Sequence, residues 1–190
     1  MQLRIHLTGA SALVMHNGRL ADPLDDMARL LSELTDKRDK TPSDIHEIAD
    51  VEWRGAIYFD PELGPYMPSG NIIRSLRDAA TAWKLGERVY DAVHLTTDRI
   101  AIGHDGPKSI DALAKRDEFR WRTTVRIGRN RTARTRPIFR RWQADFDVEL
   151  EEVELSPDDF MRILERAGRM EGLGDARKLG YGRFTAEIVA

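Results

Sequence analysis

From Trp142 to Glu151 apolar and polar residues alternate without a break. Trp142, Ala144, Phe146, Val148 and Leu150 fall on one face, and Gln143, Asp145, Asp147, Glu149 and Glu151 on the other. A period of two over that length marks a strand buried on one side only. Shorter stretches repeat the pattern. Leu3, Ile5 and Leu7 alternate with Gln2, Arg4 and His6, and Phe119, Trp121, Thr123, Val125 and Ile127 with Arg120, Arg122, Thr124 and Arg126. At the end of the chain Phe184, Ala186 and Ile188 alternate with Thr185, Glu187 and Val189. Ala56 to Phe59 reads as one more short strand.

Helical spacing fills the intervals. Leu24, Met27, Ala28, Leu30, Leu31 and Leu34 suggest an amphipathic helix, and Thr41-Pro42 opens a second that runs to about Trp53. Ile72, Ile73, Leu76, Ala79, Ala80 and Trp83 form the stripe of a third, with Ser69 as its N-cap and Gly86 as its stop. Ser109 opens a short helix, and Ser156-Pro157 another, whose buried face is Phe160, Ile163, Leu164 and Ala167. With two insertions set aside, residues 8–68 and 87–116, the order is strand, helix, strand, strand, helix, strand. That order predicts an α+β, ferredoxin-like (RNA-recognition-motif) βαββαβ core within a single domain spanning 1–190. Its antiparallel sheet would carry two helices on one face. The open face of such a sheet is one that often receives single-stranded nucleic acid.

Of the 190 residues, 41% are hydrophobic and 33% charged, so the chain can bury a core. No apolar run reaches the roughly 18 residues of a membrane span. The absence of cysteine excludes disulfides and thiolate metal sites and fits a cytoplasmic location. Five scattered histidines suggest no metal site, and nothing points to a cofactor. The net charge of −2 conceals a segregation. Nine arginines lie between Arg120 and Arg141 with no acid among them: Arg120, Arg122, Arg126, Arg129, Arg131, Arg134, Arg136, Arg140 and Arg141. The next stretch, to Phe160, carries eight acids and no base. An arginine field of this kind attracts polyanions, and an acidic block beside it suits a neighbouring copy. Gly128 to Pro137 is expected to form the tip of an arginine hairpin. Trp121, Phe139 and Trp142 are interleaved with its cations, Trp142 being assigned to the core.

Two further segments could hold phosphate. Gly172-Leu173-Gly174-Asp175-Ala176-Arg177-Lys178-Leu179-Gly180-Tyr181-Gly182-Arg183-Phe184 packs glycines and cations together, and a glycine loop with bare amides can hold phosphate oxygens. Pro65-Tyr66-Met67-Pro68-Ser69-Gly70-Asn71-Ile72-Ile73-Arg74-Ser75-Leu76-Arg77 places free amides at a helix start, with Arg74 and Arg77 one and two turns in.

The second segment resembles the I-P-G-S-S-[LI]-K-G-x-[LI]-R stretch that opens the first core helix in the RAMP superfamily, the repeat-associated proteins of CRISPR effector complexes. The first looks like that superfamily's C-terminal G-x-G-x-x-R-x-x-G-[FY]-G-R-[VF] loop. The resemblance covers about two-thirds of the chain and leaves out the 8–68 insertion. It implies a backbone subunit that polymerises along guide RNA, head to tail with other copies and beside other effector-complex subunits. Ser69, Gly70, Asn71, Arg74, Arg77, Gly172, Gly174, Arg177, Lys178, Gly180, Gly182 and Arg183 would then lie near single-stranded RNA. The charge pattern adds Arg122, Arg126, Arg129, Arg131, Arg134 and Arg136. Some relatives cleave RNA with a histidine or aspartate near the start, and His16, Asp22, Asp25 and Asp26 occupy that region. No motif assigns them the role, so a binding protein without catalytic residues is expected, with a metal-independent ribonuclease as one alternative. A self-assembling structural or DNA-annealing protein, of viral type, is the other.

Overall fold

A computed structural model describes residues 1–128 and 130–189. In chain order its elements are β1 (Gln2–Gly9), β2 (Leu13–Val14), α1 (Asp26–Asp36), α2 (Pro42–Ala56), β3 (Phe59–Asp60), β4 (Gly64–Pro68), α3 (Ser69–Ala80), α4 (Gly86–Ala92), β5 (Val93–Leu95), β6 (Arg99–Ala101), β7 (Gly103–His104), α5 (Ile110–Ala114), β8 (Arg120–Ile127), β9 (Asn130–Phe139), β10 (Trp142–Leu150), α6 (Pro157–Arg166) and β11 (Phe184–Val189). They form two compact units. One contains residues 1–13, 60–105 and 139–190, and the other residues 14–59 and 106–138. No described helix is long and apolar enough to cross a membrane.

The first unit is built on a sheet of order β11-β1-β10-β5, and β7 also pairs with β10. Each pairing is antiparallel, with Ile5 opposite Phe146 and Ile188, and Val148 opposite Leu95. Trp142, Ala144, Phe146, Val148 and Leu150 are buried, as their alternation requires. Ile5, Leu7 and Phe184 from the same sheet are also buried. So are Ile72, Leu76, Ala79 and Ala80 of α3 and Phe160, Ile163, Leu164 and Ala167 around α6, two helices that pack on each other. Ser156 caps α6 through its side chain, which accepts from the Asp159 amide.

In the second unit α1 packs on α2, and α2 is tied to the β8–β9 hairpin through Asp50 and Glu52. Thr41 and Asp44 close a capping box at the start of α2, with Pro42 at the first turn. Trp53 is fully buried, and its indole N–H donates to the Phe119 carbonyl at 2.8 Å. Strands β8 and β9 pair from Arg120↔Pro137 to Ile127↔Asn130, and the Met15 N–H donates to the Pro137 carbonyl beyond β9.

Several local expectations are corrected. Helix α2 continues through Ala56, leaving only Phe59–Asp60 extended where a longer strand was expected. Lys84, in a left-handed conformation, ends the turn after α3, and Gly86 opens α4 instead of stopping α3. Residues 120–127 are not the partner of β10. That place is taken by β5, while β8 pairs with β9, so Asn130–Phe139 is a strand and not a hairpin tip. Periodicity alone could not reveal this, because it fixes the face of a strand and not its neighbour.

Candidate nucleic-acid interface

Facing residues across the hairpin share a side. Arg122, Thr124 and Arg126 of β8 lie with Thr135, Ala133 and Arg131 of β9. On that side Arg122, Arg126 and Arg131 are exposed, and none pairs with a carboxylate among the described residues. Arg126 stands directly opposite Arg131. Like charges opposed across a pair of strands destabilise it unless an anion lies between them. The remaining arginines divide differently. Arg120 donates to Asp50 (3.0 Å) and the Ala114 carbonyl (2.7 Å), and Arg141 to Asp105 (2.7 Å). Arg134 donates at 2.6 Å to Glu52, which is 3% exposed and also accepts the Thr135 N–H at 2.8 Å. Arg134 is therefore committed to structure. Arg136 is half-buried and already partnered, and Arg129 lies outside the described residues. Phe139 and Trp142 are core residues, so of the three interleaved aromatics only Trp121 is part-exposed.

The glycine loop belongs to the first unit and wraps the segment after β1. The Gly182 N–H donates to the Ala12 carbonyl (2.8 Å), the Leu173 N–H to Gly182 (2.9 Å) and the Gly172 N–H to Ala167 (2.7 Å). The Gly180 N–H donates to Arg177 (3.0 Å), and the Gly180 carbonyl accepts the Ser11 hydroxyl (2.8 Å). These amides are thus not bare, which corrects the expectation for Gly172, Gly180 and Gly182. Gly172 and Gly182 have φ of +74° and +72°, and a Cβ on Gly182 would come within 1.9 Å of the Leu173 oxygen. Ala176 also adopts positive φ (55°), a strained state for a residue with a Cβ. It begins the turn carrying Arg177 and Lys178, and Lys178 is exposed.

The same loop is fastened to α3, so the two motif segments meet. The Ser75 hydroxyl, buried, donates to the Gly172 carbonyl at 2.9 Å, and Arg177 donates to Asp78 at 3.2 Å. Burial alone would raise the Asp78 carboxyl, but the Arg77 and Arg177 guanidiniums hold it below the usual carboxylate range. Arg77 is occupied by Asp78 and by the Tyr90 hydroxyl (2.9 Å), whereas Arg74 and Gly70 are exposed. Asn71 is part-buried. Ser69 is the first helical residue and not the N-cap: Pro68 takes that position, and the Ser69 N–H donates to the Asp98 carbonyl at 2.9 Å.

The sheet's open face does not suit a polyanion. Asp145, Asp147 and Glu149 are exposed along β10, and Glu187 is exposed on β11 across from His6. His6 holds Asp145 at 2.8 Å. The excess of acids on this face, which also carries the exposed Arg4, argues against the expectation that it receives nucleic acid. Asp22, Asp25 and Asp26 serve local roles as well. Asp25 caps α1, accepting from the Met27 N–H at 2.8 Å, and Arg19 lowers its pKa, which makes it a weak base. Asp22 accepts the Leu24 N–H, and Asp26 pairs with Arg29. Among the described residues no group of three or more His, Asp or Glu is placed to hold a metal ion.

No protein-family model matches the sequence, and no curated protein does. The chain is similar to a chain of the cryo-EM structure of the Type III-B Cmr-beta bound to cognate target RNA, at 15% identity and a TM-score of 0.49. The likeness covers 99% of this chain and 60% of that one, so this protein spans less than two-thirds of its length.

Proposed function

We propose that this protein binds single-stranded RNA, without cleaving it, as a backbone subunit of a CRISPR-type ribonucleoprotein. Copies would associate head to tail along a guide RNA, each acidic sheet face receiving cations of the next copy, a heterologous contact that propagates. In this reading the first unit is a ferredoxin-like core of the RAMP superfamily. The strand order β11-β1-β10-β5, joined through α3 and α6, supports it. So does the junction of the two motif segments at Ser75–Gly172 and Arg177–Asp78.

The observation that carries RNA binding is the opposed pair Arg126 and Arg131, with Arg122 on the same exposed side and, among the described residues, no carboxylate to neutralise them. Strand phosphates are the counter-ions such a surface fits, and guanidinium forks contact them in bidentate fashion. The test is a gel-shift series over salt with single-stranded RNA, single-stranded DNA and duplex. RNA should bind best, with an affinity that falls steeply as salt rises. Arg126→Gln/Arg131→Gln should lower the slope of log K against log salt by about 1 to 2. An unchanged slope and affinity in the double variant would refute the assignment.

A further inference from the structure

We infer that the first unit carries a separate pocket for the phosphate of a single nucleotide, between α6 and β11. A cavity of about 700 Å³ lies there, lined by Arg162, Arg166, Arg169 and Arg183 together with Trp83 and one acid, Glu165. A volume of that size takes a nucleotide. Three of these guanidiniums are held in place before any ligand arrives. Those of Arg162 and Arg166 stand 5.0 and 5.6 Å from the centre of the Trp83 ring, and Arg183 reaches the Arg177 carbonyl at 3.3 Å through one nitrogen.

What marks the cavity as a site is the set of donors left over. Among the described residues, Nε of Arg166 and Nη1 of Arg183 are buried side-chain nitrogens without a hydrogen-bond acceptor. Buried donors are almost always satisfied, and a buried cationic donor all the more so. Arg162 is paired with Asp159 (2.9 Å), but neither Arg166 nor Arg183 is paired with a carboxylate among the described residues. An anion with several oxygens, seated between Arg166 and Arg183, supplies what both lack. The wall is largely apolar elsewhere, from Trp83, Phe184 and Ala186, which fits the ring of a base and is wasted on bare phosphate.

Calorimetric titration with AMP, and with adenosine as its uncharged control, tests this. AMP should bind one to one, adenosine about tenfold more weakly or worse, and Arg166→Gln should weaken AMP by about tenfold with circular dichroism unchanged. Should that variant not fold, Arg169→Gln, at an exposed position, should still weaken AMP by about threefold. No heat at roughly 5 mM AMP, or equal isotherms for the wild type and both variants, overturns the pocket. Displacement of AMP by decauridine with a 5′-hydroxyl end would assign the pocket to a strand phosphate, and its failure to displace would assign it to a free nucleotide. Arg126→Gln/Arg131→Gln should leave the AMP isotherm unchanged, so loss of hairpin binding and loss of the pocket are read separately.

Discussion

Gly182 shows how one residue can be indispensable for a reason unrelated to ligand contact. Its φ of +72° and the 1.9 Å approach of the Leu173 oxygen leave no room for a Cβ. Gly182→Ala is therefore expected to lose at least about 3 kcal/mol of stability in urea unfolding, far more than a loop substitution on an open surface. Gly180→Ala makes the contrast. It has positive φ but nothing within 4 Å of the added Cβ, so a loss nearer 1 kcal/mol, roughly the strain term alone, is expected. That glycines cluster here was plain in the sequence. That three of their amides were already spent on backbone carbonyls was not, because the acceptors at Ala12, Ala167 and Arg177 are chosen by the folded path of the chain.

Among the elements, the hairpin depends on α2 through Glu52. This carboxylate takes both the Arg134 guanidinium and the Thr135 N–H while almost wholly buried. Glu52→Ala leaves a cation and a backbone donor unsatisfied, and should lower stability by about 3 kcal/mol, a loss visible in the urea midpoint. Hydrogen exchange should report it first at the Thr135 amide. Elements were legible where a period and a cap agree. Helix α2 begins at Thr41-Pro42, α6 at Ser156-Pro157 and α5 at Ser109, where their capping residues place them. Strand partners were not legible. Residues 120–127 read as a strand with no partner fixed, and 93–95 lay in a stretch set aside as an insertion, yet β8 pairs with β9 and β5 takes the edge of β10.

Over the whole molecule a net charge of −2 is the sum of surfaces with opposite signs. The outward face of β10 is acidic, while the outward side of the hairpin carries Arg122, Arg126 and Arg131. In the proposed reading the affinity of a single copy, measured on an RNA too short to seat two, should therefore be insensitive to acid removal on the sheet. Asp147→Asn is expected to change it by less than about twofold, and a large loss would show that the sheet face takes part after all. The amino-acid sequence determined the half-buried strands, the capped helices, the absence of cysteine chemistry and the presence of an arginine field. Each of these is a local property, set by period, by the residue at a cap or by composition. Only the tertiary structure decided which arginines remain free for a ligand. Asp50, Glu52 and Asp105 lie far along the chain from Arg120, Arg134 and Arg141, yet sit within hydrogen-bond reach of them. Ion pairing depends on distance in space, and the order of residues does not carry that distance.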